Sequence, residues 1–111
     1  MDPETEDVLK GTLDMLILKA LALAPMHGWG IGERIGQLSR DVFQLQTGTV
    51  YPALHRLLRR GWITAAWRTS EHGRRARYYQ LTTSGRKQLE AEQISWERVA
   101  LAIKRILNAE A

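Results

Sequence analysis

Between Trp62 and Thr82 the hydrophobic period changes from helical to alternating, and after Thr82 it changes back. Apolar residues two apart line one face of a strand, whereas residues three and four apart line one face of a helix. Ile63, Ala65 and Trp67 therefore point one way, and Tyr79 and Leu81 do so on the return strand. The polar stretch TSEHGRR between them holds Gly73 and reads as a narrow hairpin tip, flexible at that glycine. One hairpin in an otherwise helical chain predicts a mainly α fold with a small β-hairpin.

The helices follow from spacing and stop signals. Residues 12–24, TLDMLILKALALA, carry one stripe of Leu13, Leu16, Ile17, Ala20 and Leu21 and a second of Met15, Leu18 and Ala22, with Thr12 as cap and Pro25 as stop. Two stripes in a small protein ask for a second partner, another helix or another chain. Residues 28–39, GWGIGERIGQLS, form a glycine-rich helix that only packing can hold, and Gly32 and Gly36 give room for a neighbouring helix. Residues 42–46 alternate weakly and predict a short strand. In TGTVYPALHRLLRRGWI, Thr47 or Thr49 caps a helix, Pro52 falls in or just after its first turn, Val50, Leu54, Leu57 and Leu58 are buried, and Gly61 stops it. Thr82 caps a last helix over about 83–109, whose apolar side approximates a heptad from Trp96 onward. The expected organisation is a disordered tail over 1–10, a winged helix-turn-helix over 11–82 and a dimerisation helix over 83–111.

The net charge of +4 conceals a separation. His55 to Lys87 hold nine basic residues and one acid, Glu71, for +8, and the rest of the chain carries −4. Such segregation suits a polyanion-facing surface. Enzyme chemistry finds no support. Cysteine is absent, His27, His55 and His72 are scattered without acids at ligand spacing, and no serine or acid pair sits in a catalytic context, so neither metal nor cofactor is expected. Gly28, Gly30 and Gly32 lack the preceding strand and following lysine of a phosphate loop. The apolar run from Met15 to Met26 is broken by Lys19, too short to span a bilayer, and preceded by acids, so no membrane association and a cytoplasmic location are expected.

In a helix-turn-helix the second helix enters the major groove amino end first. Thr47, Thr49, Tyr51 and Pro52 occupy that end, where hydroxyl and methyl groups reach bases or phosphates; Tyr51 packing against the wing is an equally weighted alternative. His55 lies outside the buried stripe, and Arg56, Arg59 and Arg60 suit phosphates. Arg74, Arg75 and Arg77 at the hairpin tip suit a minor groove. A two-fold dimer would cover Leu13, Met15 and Leu18 of the first helix and Trp96, Val99, Ala100, Ile103, Ile106 and Leu107 of the last. Trp96 is also a candidate platform for a flat aromatic effector. A protein–protein adaptor of the same fold, without DNA binding, is the alternative.

The segments GTLDMLILKALA, PMHGWGI, TGTVYPALHRLLRRGWI and GRRARYYQLTTSGRKQL together resemble the PadR family of transcriptional regulators, over about Lys10 to Trp96. The resemblance implies a bacterial homodimeric repressor that binds a roughly palindromic operator on double-stranded DNA, released in some members by a small aromatic effector. Thr49, Tyr51 and Pro52 match the family's recognition-helix motif, and Arg75 and Arg77 its basic wing. A single C-terminal helix is similar to the short subgroup.

Overall fold

The computed structural model describes all 111 residues. Helix α1 (Pro3–Leu23) is followed by β1 (Met26–His27), α2 (Gly28–Leu38), α3 (Thr47–Arg59), β2 (Ile63–Thr69), β3 (Arg75–Leu81) and α4 (Thr83–Leu107). The sheet is antiparallel in the order β1-β3-β2. Ile63 pairs with Leu81, Ala65 with Tyr79 and Trp67 with Arg77, the inner face that alternation predicts.

The first ten residues are not a disordered tail. Helix α1 starts at Pro3, the Asp2 carboxylate accepts the Thr5 N–H at 2.8 Å, and that bond holds its carboxyl below the usual range. Acids that look like a solvated tail are what a helix amino end favours. Thr12 is no cap: its hydroxyl bonds back to the Val8 carbonyl at 2.8 Å. Leu9, eight residues from the chain's start, is in the core.

Helix α1 is the central element, against which α2, α3, β3 and α4 all pack. Most of both apolar stripes is thereby covered by the chain itself, with Met15, Leu16 and Ala22 left half-buried. Leu13 is buried and Leu18 is 0% exposed, so neither belongs to a dimer surface. Ile17, Ile31, Val50, Leu54, Leu57 and Ile63 complete the densest part of the core.

Between α2 and α3 no strand forms at 42–46. The chain turns instead through a helix-ending motif. The Arg40 N–H donates to the Gln37 carbonyl at 3.2 Å and the Asp41 N–H to the Gly36 carbonyl at 2.8 Å. Arg40 (φ 52°) and Asp41 (φ 64°) are both left-handed, the first at a position that usually takes glycine. The connector fills the space over Gly36 and shares that over Gly32 with Val50 of α3, bringing the Phe43 and Leu45 carbonyls against the two glycines. Left-handed backbone costs a non-glycine residue about 1–2 kcal/mol, partly offset by the entropy a glycine loses on folding. Arg40→Gly is therefore expected to stabilise the fold by roughly 0.5–1 kcal/mol. Chemical denaturation checks this, and an unchanged or lower midpoint rejects it.

Helix α3 begins at Thr47 after Gln46, which makes no side-chain cap bond, so neither threonine caps it. Pro52 lies inside the helix, one turn deeper than a first-turn proline, and deprives the exposed Gly48 carbonyl of its donor. Gly61 (φ +73°) does end the segment. At the root of α4, the Thr82 hydroxyl accepts the Gly85 N–H at 3.0 Å and the Thr82 N–H donates to the Trp62 carbonyl at 3.0 Å. An added Cβ on Gly85 would overlap that same carbonyl.

Candidate nucleic-acid interface

Burial of Val50, Ala53, Leu54 and Leu57 turns the opposite face of α3 outward. Gly48, Pro52, His55 and Arg59, spaced four, three and four apart, run along it and are exposed, as are Thr47 and Thr49 at the amino end. Tyr51 lies on one flank, 40% exposed, with its ring seated on Gly28, where any Cβ would come within 2.8 Å of it. Its nearest packing partner is thus the start of α2, beside the root of the wing. Because β1 pairs Met26 with Tyr79 and His27 with Tyr78, that seat is adjacent to β3. The Tyr79 phenol is pushed up, first by burial and further by Tyr51, against an opposing effect of Arg77.

Arg56 lies on the other flank and is already engaged. Its guanidinium donates to Asp14 of α1 at 2.9 Å, and both side chains border the groove between α1 and α4. The pair ties α3 to α1, while the Arg56 side chain, four residues beyond Pro52 and three before Arg59, stays 45% exposed beside the outward face. A partly exposed pair of this kind contributes at most about 1 kcal/mol.

The wing is a regular ladder from Ile63↔Leu81 to Thr69↔Arg75. Its tip closes through three hydrogen bonds. The Gly73 N–H donates to the Ser70 carbonyl at 2.9 Å, the Ser70 N–H to the Arg74 carbonyl at 2.6 Å, and the Arg74 N–H to the Ser70 hydroxyl at 3.2 Å. Gly73 takes φ +77° to close it. Strand alternation puts Arg75 and Arg77 on the face that carries Tyr79 and Leu81 into the core. The same face is apolar at its root and cationic toward the tip, where Trp67 is 60% exposed.

Sequence reasoning missed the aromatic partners of these cations. Guanidinium carbons lie 5.0 Å from the Trp62 ring centre (Arg60), 5.5 Å from Tyr78 (Arg68), 5.4 Å from Trp67 (Arg75) and 5.9 Å from Tyr79 (Arg77). Arg56–Asp14 is the single ion pair in the chain. Only a known register pairs residue 75 with 67 and 68 with 78 diagonally, which is why spacing alone did not reveal those two. β1 was missed as well. It is two residues long, and His27 also caps α2, its Nδ1 accepting the Gly30 N–H at 3.0 Å.

Helix α4 leaves the domain. Leu89 is buried, whereas Trp96, Val99, Ile103, Ile106 and Leu107 are exposed, with Ala100 and Met15 half-buried. The molecule measures 60 × 30 × 20 Å. Trp96 borders an open groove of about 550 Å³ with Asp14, Met15, Arg56, Glu92 and Val99. No three His, Asp or Glu side chains are grouped to hold a metal ion, and no helix is long and apolar enough to cross a membrane.

The family model described as the transcriptional regulator PadR-like family matches residues 17–91. A PadR-like transcriptional regulator from Bacillus cereus is similar at 26% identity, TM-score 0.83, over 94% of this chain and 99% of that one. A transcriptional regulator from Clostridium thermocellum shows 27% identity and TM-score 0.80 over 89% and 96%. A PadR family transcription regulator from Clostridium difficile shows 27% identity and TM-score 0.75 over 87% and 99%.

Proposed function

Since this chain belongs to the PadR-like family of transcriptional regulators, we propose that it acts in the cytoplasm as a homodimeric repressor of a roughly palindromic operator. Helix α3 enters the major groove with Thr47, Thr49, Pro52 and His55 toward the bases and Arg59 toward phosphate. Tyr51 lines the edge of that contact. Arg74, Arg75 and Arg77 follow the wing into the neighbouring minor groove, where a narrow groove concentrates negative potential. The observation that carries this is the contiguity of α3's outward face with the cationic side of the wing, joined through Tyr51 and β1. The winged helix reads DNA, and α4 joins two copies through Trp96, Val99, Ala100, Ile103, Ile106 and Leu107. A small aromatic effector fits the groove beside Trp96 and releases the operator by altering how the two α4 helices meet.

The test is selection of bound duplexes from a random pool, followed by titration of the winner and a scrambled duplex at several salt concentrations. A two-fold symmetric motif is expected, with half-sites about one helical turn apart and a preference of about 10³ or more over the scrambled duplex. Four arginines per protomer at phosphates give a log–log salt slope near about −7, or roughly 10⁴ in affinity between 50 and 200 mM salt. Equal affinity for selected and scrambled DNA rejects sequence reading.

A further inference from the structure

Arginine on a solvent-exposed hairpin has many rotamers, and freezing one on binding has an entropic cost. Two kinds of neighbour can hold it beforehand. A carboxylate does so by occupying N–H donors and cancelling charge, both of which a phosphate needs. An aromatic ring attracts the cation through its quadrupole while leaving charge and donor count intact. This chain makes the second choice at Arg60, Arg68, Arg75 and Arg77, and the first only at Arg56. Four arginine–aromatic contacts fall between residues 60 and 79, against an average of about one per 70–80 residues in proteins. No acid is paired with any of those arginines.

Trp67 is the case that packing does not explain. The core takes Ile63 and leaves the indole 60% exposed, too far up the wing to fill space between the helices. It stands directly opposite Arg77 in the ladder and diagonal to Arg75, whose guanidinium carbon is 5.4 Å from its ring centre. The Arg75 residue is itself paired with Thr69, so its backbone is fixed by the last rung before the tip and its side chain by the ring. We propose that Trp67 is a positioning residue for DNA binding, an aromatic platform that pre-orders the wing guanidinium of Arg75 without neutralising it. The proposal rests on the DNA-binding reading above and deepens it.

The experiment measures affinity for the selected operator by fluorescence anisotropy at one salt concentration, for the wild-type chain and the variants Trp67→Leu, Trp67→Phe, Arg75→Ala and Trp67→Leu/Arg75→Ala. Leucine keeps an apolar wedge but has no ring face; phenylalanine keeps the ring. Trp67→Leu is expected to weaken binding about fivefold, the size of an exposed cation–π contact, and Trp67→Phe less than about twofold. With Arg75 already removed, Trp67→Leu should add less than about twofold, because the platform has nothing left to hold. Melting curves of both Trp67 variants within a few degrees of wild type establish that the wing is intact; if the leucine variant melts early, Trp67→Thr, which suits an exposed strand and has no ring, replaces it in both backgrounds with the same expected losses.

Three results overturn the platform: no effect of Trp67→Leu, an equal loss in the presence and absence of Arg75, or phenylalanine as damaging as leucine. The second of these makes the indole itself a DNA contact. Where Arg75→Ala weakens binding and Trp67→Leu does not, the platform alone fails and the DNA-binding reading stands. Where Arg75→Ala binds like wild type, the wing's part in that reading fails and takes the platform with it.

Discussion

Alanine in place of Gly85 is expected to lower the thermal midpoint by more than about 10 °C. The added methyl group overlaps the Trp62 carbonyl, which cannot swing aside as a side chain can, and next meets the Leu81 Cδ1 at 2.9 Å. Relief requires the root of α4 to move off the base of the wing. That movement breaks the Thr82 N–H bond to the same carbonyl and disturbs the Thr82 cap. Overpacking typically costs about 1–3 kcal/mol, and a backbone obstacle belongs at the upper end or beyond it. For a domain of this size each kcal/mol is roughly 4 °C. Melting followed by circular dichroism is the measurement, and a shift under about 3 °C means that the helix root yields freely.

The second large effect is on assembly. Ile103 is 51% and Ile106 73% exposed, so a double change to aspartate removes nothing from the core of the chain. In the proposed dimer both side chains are buried against the second copy, where an unpaired carboxylate is costly. Dissociation at micromolar concentration is expected, with the melting curve of the domain little changed. Because one operator then engages one reading head at a time, affinity for the two-fold site should fall by about 10²–10⁴, while binding to a single half-site persists. Sedimentation and gel shift on the same samples decide it. A wild-type chain that is already monomeric at that concentration removes the dimer from the proposal.

Much of this was legible from spacing. The switch of period at Trp62 and Thr82 bounded the wing, and Gly61 and Thr82 marked the real ends of their elements. These signals are local, so sequence carries them in full. What escaped depends on neighbours distant along the chain. Leu13 and Leu18 looked like surplus apolar surface because the packing of α2, α3, β3 and α4 against α1 is a tertiary fact. Arg56 counted as a free cation because Asp14, 42 residues earlier, is its partner. The acidic amino end passed for a tail because its one anchoring apolar residue, Leu9, is too little to show a period. The loop at 42–46 mimicked a strand because a left-handed Arg40 is a departure from the glycine rule that a turn search relies on. The cross-strand contacts of Arg75 with Trp67 and Arg68 with Tyr78 needed the register of β2 on β3.

The two-residue strand β1 fastens the wing strand to His27, the cap of α2, and Tyr51 of α3 rests on Gly28, the next residue. In the proposed complex, hairpin and α3 are therefore linked jaws of one calliper. When such a calliper closes on a duplex, the double helix must supply the adjustment, by narrowing or bending between the places it is gripped. Base pairs that no side chain reaches then set affinity through their stiffness alone, and the spacer of the operator should be as restricted in sequence as the arms.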